Sequence, residues 1–211
     1  VASSGEGATL DGKGGTGLFY LDGGCSLTLR GLTLVNGSAD SGGVVYADGA
    51  GEVEIIESTV RDCSAGYNGG VVHASSSGAV SIIGSAVTSC SAGYGGVVHA
   101  YENSGAVSII GSTVTGCSAD YSGGVVFAWA AKWRPDPGAV SITRSNVSGC
   151  SAGNVGGATS TSDTDLIVTD STISGCNAAR GGAVYVPSGS ASLTRSTISN
   201  CIATESGGGL Y

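Results

Sequence analysis

Several residue types that most folds use are scarce in this chain of 211 residues. It has no Met, 3 Pro and 2 Phe, and only 11% of its residues are charged. The helix-favouring residues Leu, Glu, Lys and Arg are correspondingly few, so an α-helical fold is not expected. Because Pro is rare and Gly does not recur at every third position, a collagen triple helix is excluded.

Positive charge is scarce as well, which limits the kinds of partner. The 8 Lys and Arg residues are outnumbered by 16 Asp and Glu residues, giving a formal net charge of −8. Without a basic patch to neutralise phosphates, we expect no nucleic acid partner. The basic residues are also too few for a polybasic membrane anchor. No apolar run reaches the roughly 18 residues of a membrane-spanning helix, so we expect no membrane span.

What the chain has in abundance is Gly, with 39 residues, arranged within a repeat. Segments 78–100 and 105–128 read GAVSIIGSAVTSCSAGYGGVVHA and GAVSIIGSTVTGCSADYSGGVVFA, and are near duplicates. Each copy has three short apolar runs separated by small residues and a Gly-Gly pair. A fixed period of this length is typical of solenoids. The Val, Ile and Thr residues at the repeated positions favour β-strands.

Alignment of the copies predicts three strands in each coil. The first begins at Leu27, the second centres on Leu34, the third follows Gly42 and Gly43, and equivalents recur to the C-terminus. The predicted fold class is all-β, a single-stranded right-handed parallel β-helix of about seven coils. Residues 1–26 are predicted to form an irregular N-terminal turn that caps the helix, and residues 27–211 the repeats. The chain begins without a signal peptide and stops within a repeat, so we expect it to be part of a longer chain or an assembly.

Period-two alternation predicts which side chains fill the interior and which face outward. The predicted interior positions are Val45, Val72, Val80, Ile82, Val98, Val107, Ile109 and Val126, with Ala47, Ala74, Ala100 and Ala128. Two outward columns are predicted. One is aromatic for most of its length and consists of Tyr46, His73, His99, Phe127, Ser160, Tyr185 and Tyr211. The other is an apolar strip made of Ile56, Ile83 and Ile110. An exposed apolar strip usually marks a partner surface, although a bend of the strand would turn these side chains into the core.

Segment 27–65, LTLRGLTLVNGSADSGGVVYADGAGEVEIIESTVRDCSA, resembles the polymorphic outer-membrane-protein repeat and related adhesin-like β-helices. That family alternates a Gly-Gly-Ala-Ile motif with a Phe-x-x-Asn motif. Gly-Gly-Val-Val, or Gly-Gly-Ala-Val at 181–184, corresponds to the first motif, and Val60-Arg61-Asp62-Cys63 with its copies to the second. Val or Ile replaces the Phe, and Cys replaces the Asn in every copy except the first, Leu34-Val35-Asn36. The resemblance covers residues 27–211 and implies a right-handed β-helix at a cell surface.

Six of the seven cysteines share one column of the repeat. They are Cys63, Cys90, Cys117, Cys150, Cys176 and Cys201. Asn36 is aligned with the same position of the first coil, and Cys25 lies elsewhere. Strands one coil apart place Cα atoms within reach of a disulfide, which would pair Cys63 with Cys90, Cys117 with Cys150, and Cys176 with Cys201. The alternative is a column of reduced thiols acting as small buried apolar side chains. One residue per coil forms no tetrahedral cluster, so no metal site is expected.

An insertion at 129–137, reading WAAKWRPDP, interrupts one coil. It holds both tryptophans, Trp129 and Trp133, together with Arg134. A projecting aromatic and basic loop suits a protein anchor or a platform on which a sugar stacks. The alternative is a lid folded over the neighbouring aromatic column. The candidate binding residues are therefore Trp129, Trp133, Arg134, Ile56, Ile83, Ile110, Tyr46, Phe127 and Tyr185.

The function expected is that of an extracellular or cell-surface structural module, acting by adhesion, assembly into a filament or surface binding. Its partners would be proteins, a further copy of itself, or carbohydrate, and we expect neither catalysis nor a cofactor. One alternative is ice binding by an outward Ser/Thr face that includes Thr113, Thr115, Thr172 and Thr197. A second alternative is a polysaccharide lyase or epimerase, which needs paired carboxylates or a carboxylate-bound Ca²⁺ beside a basic residue. Asn36 and Asn146 match the glycosylation sequon, with Asn146 the better candidate.

Overall fold

A computed structural model of the chain describes residues 7–102, 104–130 and 138–211, with 29 short strands and no helix among them. The strands form four parallel sheets, one of eight strands and three of seven. Each strand pairs with its equivalents one coil before and one coil after. The chain is therefore a parallel β-solenoid of about seven coils, and the prediction of an all-β solenoid is confirmed.

We number the sheets in the order in which the chain enters them within one coil. The first sheet consists of β3 (Leu27–Arg30), β7 (Val53–Ile56), β11 (Val80–Ile83), β15 (Val107–Ile110), β19 (Val140–Thr143), β23 (Leu166–Thr169) and β27 (Ala191–Thr194). The second sheet consists of β1 (Ala8–Asp11), β4 (Leu32–Val35), β8 (Thr59–Arg61), β12 (Ala86–Thr88), β16 (Thr113–Thr115), β20 (Asn146–Ser148), β24 (Thr172–Ser174) and β28 (Thr197–Ser199).

The third and fourth sheets complete each coil. The third sheet consists of β5 (Ser38–Ser41), β9 (Ser64–Asn68), β13 (Ser91–Tyr94), β17 (Ser118–Ser122), β21 (Ser151–Ala152), β25 (Asn177–Arg180) and β29 (Ile202–Ser206). The fourth sheet consists of β2 (Phe19–Leu21), β6 (Val45–Asp48), β10 (Val72–Ser75), β14 (Val98–Tyr101), β18 (Val126–Trp129), β22 (Thr159–Ser162) and β26 (Val184–Ser188).

The third sheet was not predicted, so the expectation of three strands per coil is wrong. Its strands consist mainly of Ser, Gly, Asp and Tyr, and the side chain that is buried in them is a small Ala, such as Ala65 or Ala92. Without an apolar run these segments resemble loops. The register also shifts within most of the pairings, for example between Ala92 and Tyr94 where β13 pairs with β17. Such a bulge breaks the alternation on which the prediction rests.

The interior follows the predicted alternation. In the first sheet, for example, Val80 pairs with Val107 and Ile82 with Ile109, and all four side chains are at most 1% exposed. Identical aliphatic residues stack from coil to coil because each strand lies in register with its neighbours. Full burial of such a side chain contributes about 1.5–3 kcal/mol. The prediction of the interior positions is confirmed, since every one of them is buried.

The Gly-Gly pair forms the corner between the third and fourth sheets, and its two members are needed for different reasons. Gly69 has a φ of +62°, a left-handed conformation that side chains rarely adopt. Gly70 has ordinary dihedral angles, but a Cβ atom there would overlap the carbonyl oxygen of Gly96 in the next coil. The coils approach too closely at this corner for any side chain. This explains why both glycines recur in each repeat.

A ladder of buried serines forms the corner between the first and second sheets. Ser85 shows the pattern: its Oγ donates to the carbonyl oxygen of Ile83 at 2.9 Å and accepts the N–H of Ser58 at 3.0 Å. Its own N–H donates to the Oγ of Ser112, one coil further on, at 3.1 Å. The ladder continues through Ser145 and Ser171. Each serine therefore satisfies a backbone N–H that the tight corner would otherwise leave unpaired.

The N-terminal segment joins the solenoid from Ala8 onward. Its strand β1 pairs with β4 in the second sheet, and β2 pairs with β6 in the fourth. Between them Gly12 lies against the backbone of Asn36 and Gly37, where a Cβ atom would be only 2.7–2.8 Å away. The described part of this segment therefore adds a partial coil of two strands to one end of the stack.

Candidate functional site

The predicted aromatic column lies on the outer face of the fourth sheet. Tyr20, Tyr46, His73, His99 and Phe127 occupy equivalent positions on β2, β6, β10, β14 and β18. Successive ring centroids lie 5.3, 5.2, 5.0 and 5.3 Å apart. Ser160 then interrupts the rings in β22, and the column resumes with Tyr185, which stacks on Tyr211 at 4.9 Å. The predicted membership of this column is confirmed.

A second aromatic column runs beside the first, two residues further along each strand. It consists of Ser75, Tyr101 and Trp129, which are paired in register on β10, β14 and β18. The rings of Tyr101 and Trp129 lie 5.2 Å apart, and Tyr101 also lies 5.9 Å from His99. Because alternate residues of a strand share a face, both columns point outward on the same side.

Tyr94 of the third sheet supplies the opposite side of a groove. Its ring lies 5.2 Å from Phe127 and 6.3 Å from His99, and it stacks on Tyr121 at 5.0 Å. Asn68 takes the equivalent position one coil earlier. Residues from two sheets therefore line the same groove.

These rings, together with Asn68 and Ser75, line a groove with a volume of about 540 Å³. The volume lies within the range of about 300–1,000 Å³ that small-molecule sites occupy. The groove spans three consecutive coils, with His73 and His99 at its floor and Tyr94 and Trp129 at its exposed edges. We refer to it as the aromatic groove.

The two histidines of the chain form a direct hydrogen bond at the floor. The Nδ1 atoms of His73 and His99 lie 2.9 Å apart. The ring planes are nearly parallel, at 18°, and the centroids are 5.0 Å apart. That centroid distance is close to the Nδ1–Nδ1 distance plus the two ring radii. The two nitrogens therefore lie almost on the line between the centroids, and the rings meet edge to edge rather than face to face.

Burial keeps both imidazoles neutral. His73 is 6% exposed and His99 is 5% exposed. Burial, with a smaller contribution from the neighbouring His73, lowers the pKa of His99 to about 3. Burial also lowers the pKa of His73, against the attraction of the Asp48 carboxylate. The floor of the groove is therefore polar but uncharged at neutral pH.

The groove brings together only some of the predicted binding residues. Phe127 and Trp129 line it, whereas Tyr46 lies in a separate cavity of about 660 Å³ with Tyr20. Tyr185 lies further along the stack, where the guanidinium of Arg180 is 5.7 Å from its ring centroid. The predictions for Trp133 and Arg134 fall outside the described residues.

Sequence reasoning missed Tyr94, Tyr101 and Asn68 as members of a site. Tyr101 and Trp129 share a repeat position, which was a usable signal. Tyr94 and Asn68 belong to the sheet that was not predicted, so the aligned repeat positions gave no indication of where their side chains lie. His73 and His99 were recognised as equivalent residues of adjacent coils, but their hydrogen bond was not anticipated.

The isoleucine strip is not the exposed surface that alternation predicted. Ile56, Ile83 and Ile110 are aligned in the first sheet, as expected. However, Ile56 is only 8% exposed and the other two are partly buried. Each precedes a residue with positive φ, such as Glu57 at +49°, so the chain turns the corner there and draws the side chain inward. Arg30 and Thr143 continue the strip at either end, so it offers no continuous apolar surface.

The cysteine column lies inside the solenoid, between the second and third sheets. All seven cysteines are free thiols; Cys63, Cys90, Cys117, Cys150 and Cys176 are fully buried, Cys201 is partly buried and Cys25 is exposed. Each thiol of the column donates to the carbonyl oxygen two residues earlier, for example Cys90 to Thr88 at 3.4 Å. Their pairing as disulfides stays a prediction, and the structure describes the reduced form.

Neighbouring thiols of the column interact with one another. Hydrogen bonds with Cys117 and Cys63, added to burial, raise the pKa of Cys90. The hydrogen bond with Cys117 raises the pKa of Cys150 to about 12. Interactions with Cys150 and Cys90 lower the pKa of Cys117, although burial opposes this. Because burial penalises every thiolate in the column, we regard the column as neutral and structural.

Asn36 does not belong to the cysteine position, contrary to the sequence alignment. It follows Val35, the partner of Arg61, and so corresponds to Asp62. Asn36 and Asp62 share a positive φ, +51° and +57°, at the corner after the second sheet. The Asn36 amide donates to the Asp11 carboxylate at 2.9 Å. Asn146, by contrast, is exposed on β20.

The second sheet presents the predicted Ser/Thr face. Outward residues on its strands pair in register, so that Thr113 lies beside Asn146 and Thr115 beside Ser148. Thr113, Thr115, Thr172 and Thr197 are all exposed. Arg61 and Ala86 interrupt the two columns. The backbone spacing of this face is therefore regular, but its outward side chains are not all Ser or Thr.

Asp165 and Asp170 flank β23, the sixth strand of the first sheet, and both are engaged in local contacts. Asp165 accepts the N–H and the hydroxyl of Ser190, both at 2.8 Å. Asp170 accepts two hydrogen bonds from the Arg195 guanidinium, at 2.6 and 2.9 Å. Across residues 7–102, 104–130 and 138–211, no group of three or more His, Cys, Asp and Glu residues is placed to hold a metal ion.

The chain matches no family model, no curated protein sequence and no solved structure. In the part of the chain that the structure describes, no helix is long and apolar enough to cross a membrane.

Proposed function

We propose that this protein is a non-catalytic adhesion module of the extracellular space or a cell surface, and that it binds carbohydrate in the aromatic groove. The observation that carries the proposal is the convergence of four rings, Tyr94, Tyr101, Phe127 and Trp129, over a polar floor. Sugars present flat faces of C–H bonds that stack on aromatic rings, while their hydroxyl groups need hydrogen-bond partners. A groove with aromatic walls and a few placed polar groups meets both needs.

The charge of the groove supports a neutral ligand. Among the described residues that line it, none is Lys, Arg, Asp or Glu. The chain as a whole carries a net charge of −8, which repels polyanions such as acidic polysaccharides. A neutral glycan is therefore favoured over a charged one.

The same residues favour binding over catalysis. Glycoside cleavage needs paired carboxylates at the scissile bond, and β-elimination needs a base beside a stabilised carboxylate. The described lining of the groove contains no carboxylate, and the lowered pKa of His99 makes it a weak base. We therefore favour adhesion over a polysaccharide lyase or epimerase activity as the function of this protein.

Three further parts of the proposal rest on general arguments and on the resemblance to adhesin-like repeats. A crossover between parallel strands of one sheet is right-handed in about 98% of cases, which supports a right-handed solenoid. The resemblance supports a cell-surface location and assembly with protein partners or further copies. The exposed Asn146 supports N-glycosylation at its sequon.

The experiment is a screen of the purified protein against an array of neutral and acidic glycans, followed by calorimetry on the glycans that bind. Trp129→Ala and Tyr94→Ala should each weaken binding about tenfold or more, the loss typical of an aromatic anchor. Tyr185→Ala is the matched control, because it removes a ring from the same outer face away from the groove. Absence of glycan binding, or equal binding by all three variants, would refute the proposal.

Ice binding is a second candidate, favoured by the in-register outward residues of the second sheet. Regular strand spacing of about 4.8 Å repeats the Thr positions at a constant interval, which suits ordered water. Thr115→Tyr should abolish thermal hysteresis if this face binds ice. Ser108→Tyr, an outward substitution on the first sheet, is the control. If the wild-type protein shows no more thermal hysteresis than a protein that does not bind ice, this candidate is excluded.

A further inference from the structure

We infer that the hydrogen-bonded pair His73 and His99 makes the aromatic groove selective for a neutral ligand that offers two hydroxyl groups. The inference deepens the proposed function and rests on it, because it concerns the ligand of the same groove. The walls alone would accept any molecule with a flat apolar face. The floor supplies the discrimination.

The first step concerns the proton between the rings. With 2.9 Å between the two Nδ1 atoms, one nitrogen must donate and the other must accept. A neutral imidazole carries its proton on only one nitrogen. The donor ring is therefore protonated at Nδ1 and bare at Nε2, whereas the acceptor ring is bare at Nδ1 and protonated at Nε2. The pair holds opposite tautomers.

The second step concerns the two Nε2 atoms. Among the described residues neither Nε2 has a hydrogen-bond partner. Neither is among the fully buried polar atoms without a partner, which are on Thr159, Thr161 and Arg180. Both Nε2 atoms are thus reachable from the groove that their rings line. The floor presents one acceptor and one donor, on the far sides of two rings whose centroids lie 5.0 Å apart.

The third step matches this floor to a ligand. A hydroxyl group both donates and accepts, so one hydroxyl can donate to the bare Nε2 and another can accept from the protonated one. A carboxylate or sulfate has no proton to donate and would leave the bare Nε2 unpaired in a buried place, which is costly. An ammonium group has no lone pair for the protonated Nε2. A neutral ligand with two hydroxyl groups satisfies both positions.

The first test reads the tautomers directly. The chain has only 2 His residues, so a long-range ¹H–¹⁵N spectrum of labelled protein contains two side-chain spin systems. At pH 7 we expect one Nδ1-protonated and one Nε2-protonated ring. Two Nε2-protonated rings would overturn the inference without affecting the proposed function.

The second test measures selectivity with matched glycans, a neutral oligoglucoside and the same oligomer oxidised to a uronate. Wild type should bind the neutral oligomer about tenfold or more tightly than the uronate, since oxidation replaces one hydroxyl group of each sugar with a carboxylate that cannot donate to the bare Nε2. His99→Phe continues the ring column into Phe127 but removes one polar group of the floor, so it should weaken binding of the neutral oligomer and abolish this preference. His73→Tyr, which copies Tyr46 of the preceding coil, is the second variant should the first fail to fold.

The outcomes separate the two proposals. A preference for the neutral oligomer that disappears in either histidine variant supports the inference. Equal affinity for both oligomers, or an unchanged preference in the variants, overturns the inference and leaves carbohydrate binding intact. Failure of wild type to bind any glycan, neutral or acidic, overturns both.

Discussion

Gly37 occupies, in the first complete coil, the position that Cys63 occupies in the next. A Cβ atom on Gly37 would lie 3.6 Å from the Cys63 Sγ, and the residues that follow, Ser38 and Ser64, are paired in register. The cysteine column therefore begins at Cys63, because the coil before it has a glycine at the same position. A side chain is excluded at this end of the column, because a Cβ atom on Gly37 would overlap the carbonyl oxygen of Gly43.

The first prediction concerns the accessibility of the thiols. In the native protein a thiol reagent should modify only the exposed Cys25 at a fast rate, because the other cysteines are buried or partly buried. After denaturation without reductant, all 7 cysteines should react. A Cys25→Ser variant should lose the fast reaction and keep the rest. A count of one thiol in the denatured protein would instead establish the three predicted disulfides.

The second prediction concerns the close approach of coils at the Gly-Gly corner. Gly70→Ala should destabilise the protein strongly, by about 3 kcal/mol or more, because its Cβ atom would overlap the Gly96 carbonyl oxygen. Gly15→Ala is the matched control, since nothing lies within 4 Å of its Cβ position. Chemical denaturation of the two variants measures the difference. Similar stability of both would contradict the close packing of this corner.

The third prediction concerns the serine ladder. Ser112→Ala removes the acceptor of the Ser85 N–H, which lies 3.1 Å from the Ser112 Oγ in a buried place. An unpaired buried donor costs about 1–3 kcal/mol, so the free energy of unfolding should fall by that amount. Thr113→Ala, at the next residue and exposed, should change it by less than about 0.5 kcal/mol. Equal effects of the two substitutions would mean that the ladder contributes nothing to stability.

The fourth prediction concerns pH. The folded state lowers the pKa of His99 from 6.5 to about 3 and lowers that of His73 as well. The unfolded chain therefore binds more protons in this range, and stability should decrease as pH falls below 6.5. The Asp165 and Asp170 carboxylates, whose pKa values are also lowered, act in the same direction only below about pH 4.

Thermal melts between pH 6.5 and about pH 4.5 therefore isolate the histidines. His99→Phe should show a flatter dependence than wild type over this interval, because it removes the more strongly shifted group. An Asp165→Asn variant should keep the wild-type dependence there. Identical curves for wild type and His99→Phe would contradict the neutral, buried state of this ring.

The interior could be predicted from the sequence because it is built from one strong signal. Val80 and Val107, or Ile82 and Ile109, repeat at fixed positions and alternate with polar residues, which determines both the strand and its inward face. The corners were less predictable. Ile56 follows the alternation of its strand, yet the positive φ of Glu57 turns the chain and buries it.

The aromatic groove could not be predicted for a different reason. Its walls come from Tyr94 in the third sheet and Trp129 in the fourth, and the register of the third sheet shifts between Ala92 and Tyr94. Alignment of the repeats compares the same position in successive coils, and it carries no information about the distance between two different columns. The hydrogen bond of His73 and His99 depends on ring rotation, which no spacing in the sequence reports.

Because near-identical coils stack in register, the length of the groove can change by the gain or loss of whole coils. Segments 78–100 and 105–128 differ at few positions, and each contributes one rung to the floor and walls. Duplication of such a segment would insert a rung without disturbing the pairing on either side, because a coil contacts only its neighbours. Unequal recombination between two such segments would lengthen the groove by one coil. A longer ligand would then fit without any single-residue substitution in the site.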